Sequence, residues 1–398
     1  MLKKIVLSTL VTFSLQASET VVDFYRSALE NLHYNQKEQL LRQAGDLEKK
    51  ALNLNRFADF SLDAGYSSTK ADRLPSSFNT TDVSFTDTID IFGKDTYKID
   101  ELKLNLKEQK TLLKKQKEEL FVSLTEMISA YRQTQEQLAL HTDFLNGQLN
   151  ILDKIKRLNS SGTVSDMDYL RLKNSVTLFK TQITDETNRV KRMQEQLMLY
   201  TAQSIPSFDK NETLHCSQKA YLKSDPNTQL NSIAAAQLAN QANVLSHSYV
   251  PRLTAGTSYQ KIDDPTANGD NYSFHVGISI PLKSGDLKQS EALRVRSLRV
   301  SFDAAKYRLQ RKKEYIQRMQ SITNAVQQLR ILKESLDDSL KSKKIIQEAF
   351  LKKYVDFNTY VQVVSQTLTL QEQIIKMRYL KDTQTAILNT LSSGALYE

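Results

Sequence analysis

The sequence predicts a mainly α protein with a β-barrel part: duplicated long coiled-coil helical hairpins plus four membrane-crossing β-strands per chain. Three observations predict it. The chain repeats itself, two stretches nearly free of glycine and proline carry heptad patterns, and four short segments alternate apolar with polar residues.

The repeat sets the architecture before any local element is assigned. One unit runs from Asp23 to about Gln203 and a second from Asn227 to about Leu391, in register at a separation of 191 or 192 residues. Leu62-Asp63-Ala64-Gly65-Tyr66 matches Leu253-Thr254-Ala255-Gly256-Thr257, Gly93-Lys94-Asp95 matches Gly285-Asp286, and Val164 with Tyr169 matches Val355 with Tyr360.

In chain order, residues 1–17 read as an export signal. Lys3 and Lys4 give the positive start, Ile5 to Leu15 the apolar run, and Leu15-Gln16-Ala17 a cleavage site before Ser18. The run is too short to span a bilayer, which takes roughly 20 apolar residues. A buried first helix is the competing reading. Residues 18–203 form the first repeat: a helix ending near Asn55, a strand pair at 58–92, a long helix at 94–159 and a helix at 165–203. Residues 204–226 are a linker. Residues 227–391 form the second repeat: a helix ending near Ser248, a strand pair at 251–283, a long helix at 286–355 and a helix at 358–391. Residues 392–398 are a tail.

The long helices follow from what is missing. Only ten glycines and six prolines occur, most of them at the joints, and between Asp286 and Phe357 there is neither. Each would cost a helix about 1 or 3 kcal/mol respectively. Leu124, Tyr131, Leu138, Leu145 and Leu152 recur every seven residues, with Leu106, Leu113, Leu120 and Met127 as a second seam. In the second unit the seam is looser: Leu309, Ile316, Val326, Leu329, Leu336 and Leu340. At 1.5 Å per residue these helices run about 100 Å, a length on the scale of a periplasm.

The strands carry the contrast. Phe60, Leu62, Ala64 and Tyr66 alternate with small or polar residues. So do Val83, Phe85, Ile89 and Ile91; Leu253, Ala255, Thr257 and Tyr259; and Tyr272, Phe274, Val276, Ile278 and Ile280. Their lengths suit a tilted crossing of an outer membrane. The last set is expected to face lipid, with Ser273, His275 and Ser279 on the other side. Ser67–Thr80 and Asp263–Asn271 are polar and suit external loops. A soluble, half-buried hairpin is the competing reading. Four strands cannot close a barrel and an open edge is not tolerated in lipid, so the strands must pair with other copies of the chain.

Taken in this order, and twice, the motifs resemble the TolC-like outer-membrane efflux protein family. The resemblance covers nearly the whole mature chain. It is carried by Tyr249-Val250-Pro251-Arg252-Leu253, by Ile278-Ser279-Ile280-Pro281-Leu282-Lys283-Ser284-Gly285, and by the turns Gly162-Thr163-Val164-Ser165-Asp166 and Tyr354-Val355-Asp356-Phe357-Asn358. Ala28-Leu29-Glu30-Asn31 fits the family's first helix. The resemblance implies a homotrimer, with a barrel of twelve strands from three chains continuous with an α-helical tunnel. It places the barrel in the outer membrane of a Gram-negative bacterium, the tunnel in the periplasm and residues 204–226 at its equator. The partners it implies are outer-membrane lipid, a periplasmic adaptor (membrane-fusion) protein and an inner-membrane pump. The function it implies is passive passage of drugs, metal ions or other exported substrates. A non-transporting coiled-coil scaffold of the envelope is the alternative function.

Two site expectations follow. Gly162, Thr163, Val164, Ser165, Asp166, Val355, Asp356, Phe357 and Asn358 form helix-turn tips for adaptor docking, with Val164, Val355 and Phe357 exposed. Asn358, Gln362 and Gln366 stand where the family's best-known members carry tunnel-mouth aspartates, which makes an acidic ring doubtful here.

Enzymatic chemistry is not expected. The histidines His33, His141, His215, His247 and His275 show no metal-ligand spacing, His141 falling on a heptad seam. There is no phosphate-cradling glycine loop and no nucleophile motif. No cofactor and no metal are expected. The lone Cys216 cannot form an intrachain disulfide. Removing residues 1–17 takes away two lysines and lowers the formal net charge from +9 to +7. That charge is dispersed along helices, which argues for solvated faces and against nucleic acid as a partner.

Overall fold

The computed structural model describes residues 20–57, 60–70, 77–89, 93–162, 164–208, 213–263, 269–280, 284–394 and 396. The export signal, Thr163, Ile91, and the Pro281-Leu282-Lys283 motif lie outside the described residues. The elements are α1 (Val21–Asn31), α2 (Tyr34–Phe57), β1 (Phe60–Lys70), β2 (Ser77–Ile89), α3 (Lys94–Ser160), α4 (Asp166–Met198), α5 (Gln218–Lys223), α6 (Pro226–Ser246), β3 (Arg252–Asp263), β4 (Gly269–Ser279), α7 (Ser284–Leu351) and α8 (Phe357–Ser393).

Three details differ from the sequence reading. The first helix is two, because His33 takes a left-handed backbone (φ 59°) between α1 and α2. Histidine is among the residues enriched in that region. A short helix, α5, sits inside the stretch read as linker, started by the Ser217 hydroxyl accepting from the Ala220 amide. Strand pairing also runs further out than the expected loops, to Lys70 opposite Ser77 and to Ile262 opposite Gly269. Serines and threonines supply that extension, as where the Ser67 and Thr80 hydroxyls meet at 2.6 Å.

The compact units do not coincide with the sequence repeats. Of the described residues, those within 1–34, 117–224 and 312–398 make up unit 1 and those within 35–116 and 225–311 unit 2, so each unit takes parts of both repeats.

Unit 2 holds one antiparallel sheet in the order β1-β2-β3-β4. The helices attached to it contact one another in matching order. Gly45 of α2 lies directly against Leu106 of α3. The Asn240 amide of α6 donates to the Tyr97 carbonyl of α3 (2.8 Å), and the Ser290 and Ser297 hydroxyls of α7 donate to Ala242 and Ala235 carbonyls of α6 (both 2.7 Å).

Unit 1 is held by two apolar clusters. The larger gathers Phe24 and Tyr25 of α1, Phe121, Leu124, Ile128 and Tyr131 of α3, Tyr221 of α5, and Ile387, Leu388 and Leu391 of α8. The Tyr25 and Phe121 rings meet edge to face at 5.3 Å, and the Tyr25 hydroxyl donates to the Lys117 carbonyl. Leu124 and Tyr131 are thus buried as their heptad predicts. The second seam is shifted by one residue: Phe121 and Ile128 are fully buried, while Leu120 and Met127 only pack against the cluster. The second-unit seam is not buried within the chain, since Leu309, Ile316, Val326 and Leu340 are exposed.

Candidate membrane-facing sheet and helix-turn tips

The register of the sheet puts its apolar residues on one face. Leu62 lies opposite Phe85, which lies opposite Thr257, which lies opposite Phe274. The neighbouring rows are Ala64–Val83–Tyr259–Tyr272 and Asp87–Ala255–Val276, with Phe60 opposite Asp87, and Ile89–Leu253–Ile278 closes the face. Aromatic pairs form across strands, Phe60 on Phe85 and Tyr259 on Tyr272, each at 5.1 Å. The intervening residues make a polar face: Asp63, Ser84, Ser258 and Ser273 in one row, Asp82, Gln260 and Asn271 in the next. Such separation follows from the period-two geometry of strands once the register is fixed.

Tyr272, Phe274, Val276, Ile278 and Ile280 are all exposed, Phe274 at 73 %. Large side chains across the other strands, Phe60, Leu62, Tyr66, Val83 and Phe85, are exposed on the same face. A bare apolar face of this extent is foreign to water-soluble monomers. Asp87 is a charged residue within it. It lies two residues before the end of β2, and its Oδ1 is buried without a hydrogen-bond partner among the described residues. No described helix is long and apolar enough to cross a membrane.

The tips lie in unit 1, and their two turns are copies built from different residues. In the first, Gly162 takes φ 72° after α3, and Ser165 caps α4 by accepting from the Asp168 amide. The Asn159 amide bridges to the Val164 carbonyl (3.1 Å) and the Asp166 carboxylate (2.8 Å). In the second, Lys353 takes φ 64° after α7, and Asp356 caps α8 by accepting from the Thr359 amide at 2.8 Å. The hydroxyl of Thr359 and then its backbone amide hold the Asp356 carboxyl below its ordinary value. Gly162 and Lys353, like Ser165 and Asp356, stand one repeat apart.

Ile151, Ile155, Leu172, Val176, Phe350, Tyr360 and Val364 form the core behind these turns, with Phe350 stacked on Tyr360 at 4.6 Å. Val164, Val355 and Phe357 pack against that core and are half-buried, which corrects their expected exposure. Each turn is tight enough to fold its apolar residue back onto the helix pair. The exposed apolar side chains are others, Tyr354 at 79 % together with Met167 and Leu170. For Met167 and Leu170 the sequence signal was their place just after the N-cap residue Ser165, whereas Tyr354 stands beside a left-handed Lys353 that no local signal marks. Gly162, Ser165, Asp166, Asp356 and Asn358 are exposed.

Asn358, Gln362 and Gln366 lie on one exposed face of α8, together with Thr359, Ser365 and Thr369. That face carries amides and hydroxyls and no carboxylate. Deeper in unit 1, buried His141 places Nδ1 2.7 Å from Glu186 and Nε2 2.6 Å from Glu372, tying α3 to α4 and α8. The two nitrogens point to different carboxylates, and no group of three metal-ligating side chains arranged to hold a metal ion is found among the described residues.

Long helices in two copies, each leading out of one open antiparallel sheet with a bare apolar face, define the chain architecture of outer-membrane efflux channels. The chain has that fold. It superposes on CusC, studied for conformational changes accompanying folding and transmembrane channel formation, with a TM-score of 0.78 at 10 % identity, covering 94 % of this chain and 92 % of that one. A membrane protein from Pseudomonas aeruginosa matches with a TM-score of 0.76 at 11 % identity over 94 % and 93 %. The outer membrane protein VceC from Vibrio cholerae matches with a TM-score of 0.70 at 12 % identity over 94 % and 95 %. No protein-family model and no curated protein matches the sequence.

Proposed function

We propose that this chain is the outer-membrane channel and periplasmic exit duct of a tripartite efflux or secretion system, working as a homotrimer and conducting its substrates without chemistry of its own. One observation carries the proposal: the continuous, exposed apolar face of a four-stranded sheet whose opposite face is polar. Lipid on the first face and an aqueous lumen on the second satisfy both, and a coiled-coil scaffold needs neither. Purification from the outer-membrane fraction in mild detergent is expected to give a heat-sensitive particle of three chains that opens discrete conductances in planar bilayers. A stable, non-conducting monomer in the soluble fraction would mean an envelope scaffold instead.

The tips are the proposed docking site for the periplasmic adaptor, on turns Gly162–Asp166 and Val355–Asn358, with Tyr354 and Met167 as its apolar contacts. Both side chains stand clear of the core behind the turns. Replacing Tyr354 and Met167 by glutamate should abolish export and adaptor cross-linking while leaving trimer yield unchanged. Export at the normal rate from that double variant would place docking elsewhere. Asn358, Gln362 and Gln366 give the proposed tunnel mouth an uncharged wall.

A further inference from the structure

The basic excess of the chain, read from its sequence as dispersed, is concentrated in one layer. Without residues 1–17 the formal net charge is +7. The helical part of unit 2 consists of α2, α3 as far as Gln116, α6, and α7 as far as Arg311. It holds 19 lysines and arginines against 10 aspartates and glutamates, a net +9, which leaves the rest of the mature chain at −2. Helix α6 contributes no charge at all. The steepest part is α7 from Arg294 to Arg311, with six basic residues and one acid, Asp303. Five of the six, Arg294, Arg296, Arg299, Lys306 and Arg308, are exposed and have no acidic partner among the described residues. Earlier on the same helix Lys288 does meet Glu291, at 3.1 Å. An ordinary solvated helix alternates the signs of its charges, and this stretch does not.

Both faces of the layer carry these cations. Helix α7 contacts α6 through Ser290 and Ser297. Helical spacing then puts Arg294 and Arg308 on one side of that contact, and Arg296, Arg299 and Lys306 on the other. A wall built from this layer shows at least two such cations per chain to whichever side the lumen lies on, and so six in a trimer. The first repeat adds Lys103, Lys107 and Lys110 of α3, also exposed, of which Lys103 meets Asp100. Opposing charge is scarce elsewhere. Among the described residues the polar face of the sheet carries Asp63, Asp82 and Arg252, a net −1, and Asn358, Gln362 and Gln366 are uncharged.

We propose that the helical layer of unit 2 forms an anion-selecting belt, and that the cargo of this chain is anionic: organic molecules carrying carboxylate, phosphate or sulfate groups, not cationic drugs or metal ions. The proposal rests on the trimeric-duct reading and adds the charge of what passes. Rings of arginine and lysine suit pores that conduct anions. A passage lined by one sign of charge between low-dielectric walls focuses the field and concentrates the opposite ion inside it. The cations are exposed and spread along several turns, so an anion is drawn in without a single tight site to hold it.

The test uses the full-length protein, extracted in mild detergent and inserted into planar bilayers across a potassium chloride gradient. The reversal potential should show chloride preferred over potassium by at least about threefold. That preference should shrink at about 1 M salt, where the screening length falls to about 3 Å. Citrate, as the probe of organic anions, should lower the chloride current, and spermidine should not. Two sets of replacements address the belt: Arg294→Gln with Arg308→Gln, and Arg296→Gln with Arg299→Gln and Lys306→Gln. At least one set should remove most of the chloride preference in protein that still weighs as a trimer and conducts. If either set fails to assemble, the salt and citrate measurements on the unaltered protein decide the matter. A channel that does not prefer chloride, or a preference that survives all five replacements, would overturn the belt while leaving the duct intact. A monomer with no conductance would remove the duct reading itself.

Discussion

The sheet of unit 2 and the helical core of unit 1 use the same kinds of residue in opposite ways. In unit 1 Phe121 is 0 % exposed, within a cluster of aromatic and aliphatic side chains drawn from α1, α3, α5 and α8. In the sheet, Phe274 is 73 % exposed, on an apolar face that no helix of unit 2 covers. The difference teaches that exposure of apolar residues identifies the missing solvent or partner when it is continuous across a face. A scattered exposed leucine says nothing.

The sharpest way to break this comparison is to truncate one phenylalanine from each region. Phe121→Ala should cost about 3–5 kcal/mol, because removing a fully buried ring leaves a cavity among packed neighbours. Phe274→Ala should cost less than about 1 kcal/mol, since no protein cavity forms around it. Denaturant unfolding of the detergent-solubilised protein, monitored for each unit separately, measures both. Similar costs would mean that the sheet face is buried against protein.

The next largest effect separates the two faces of β4. Val276→Arg should destabilise the assembled barrel by about 2–4 kcal/mol if its position is near the midplane of lipid. Ser273→Arg, on the polar face, should cost far less. Folding titrations into lipid vesicles report the difference, and equal costs would show that the faces have been assigned the wrong way round.

Much of this was legible in the sequence because it depends on local periodicity. The strand alternation from Tyr272 to Ile280 needs only a period of two, and the absence of glycine and proline between Asp286 and Phe357 needs only counting. What escaped is non-local. Phe121 and Ile128 displaced Leu120 and Met127 from the seam because their partners come from α1 and α8, far away in the chain. The burial of Val164, Val355 and Phe357 depends on how sharply each turn closes. The break at His33 comes from one backbone angle in a sequence that carries neither glycine nor proline there. His141 could be placed on a heptad seam, but its carboxylate partners Glu186 and Glu372 lie on two other helices.

The smallest expected effect compares the two turns, which stand one repeat apart within the helical unit. Gly162 and Lys353 occupy equivalent left-handed positions, at φ 72° and 64°. A Cβ added to Gly162 would meet no heavy atom within 4 Å, so the only cost of a side chain there is the backbone conformation. For an L-residue that cost is about 1–2 kcal/mol, offset in part by the greater freedom glycine loses on folding, about 0.5–1 kcal/mol. Gly162→Ala should therefore destabilise the first turn by about 1 kcal/mol, and Lys353→Gly should stabilise the second by about the same. Thermal unfolding of the two variants and of the double exchange measures this, and the double exchange should lie close to the wild type. A loss of stability in Lys353→Gly would show that the lysine side chain, not only its backbone, holds the second turn in place.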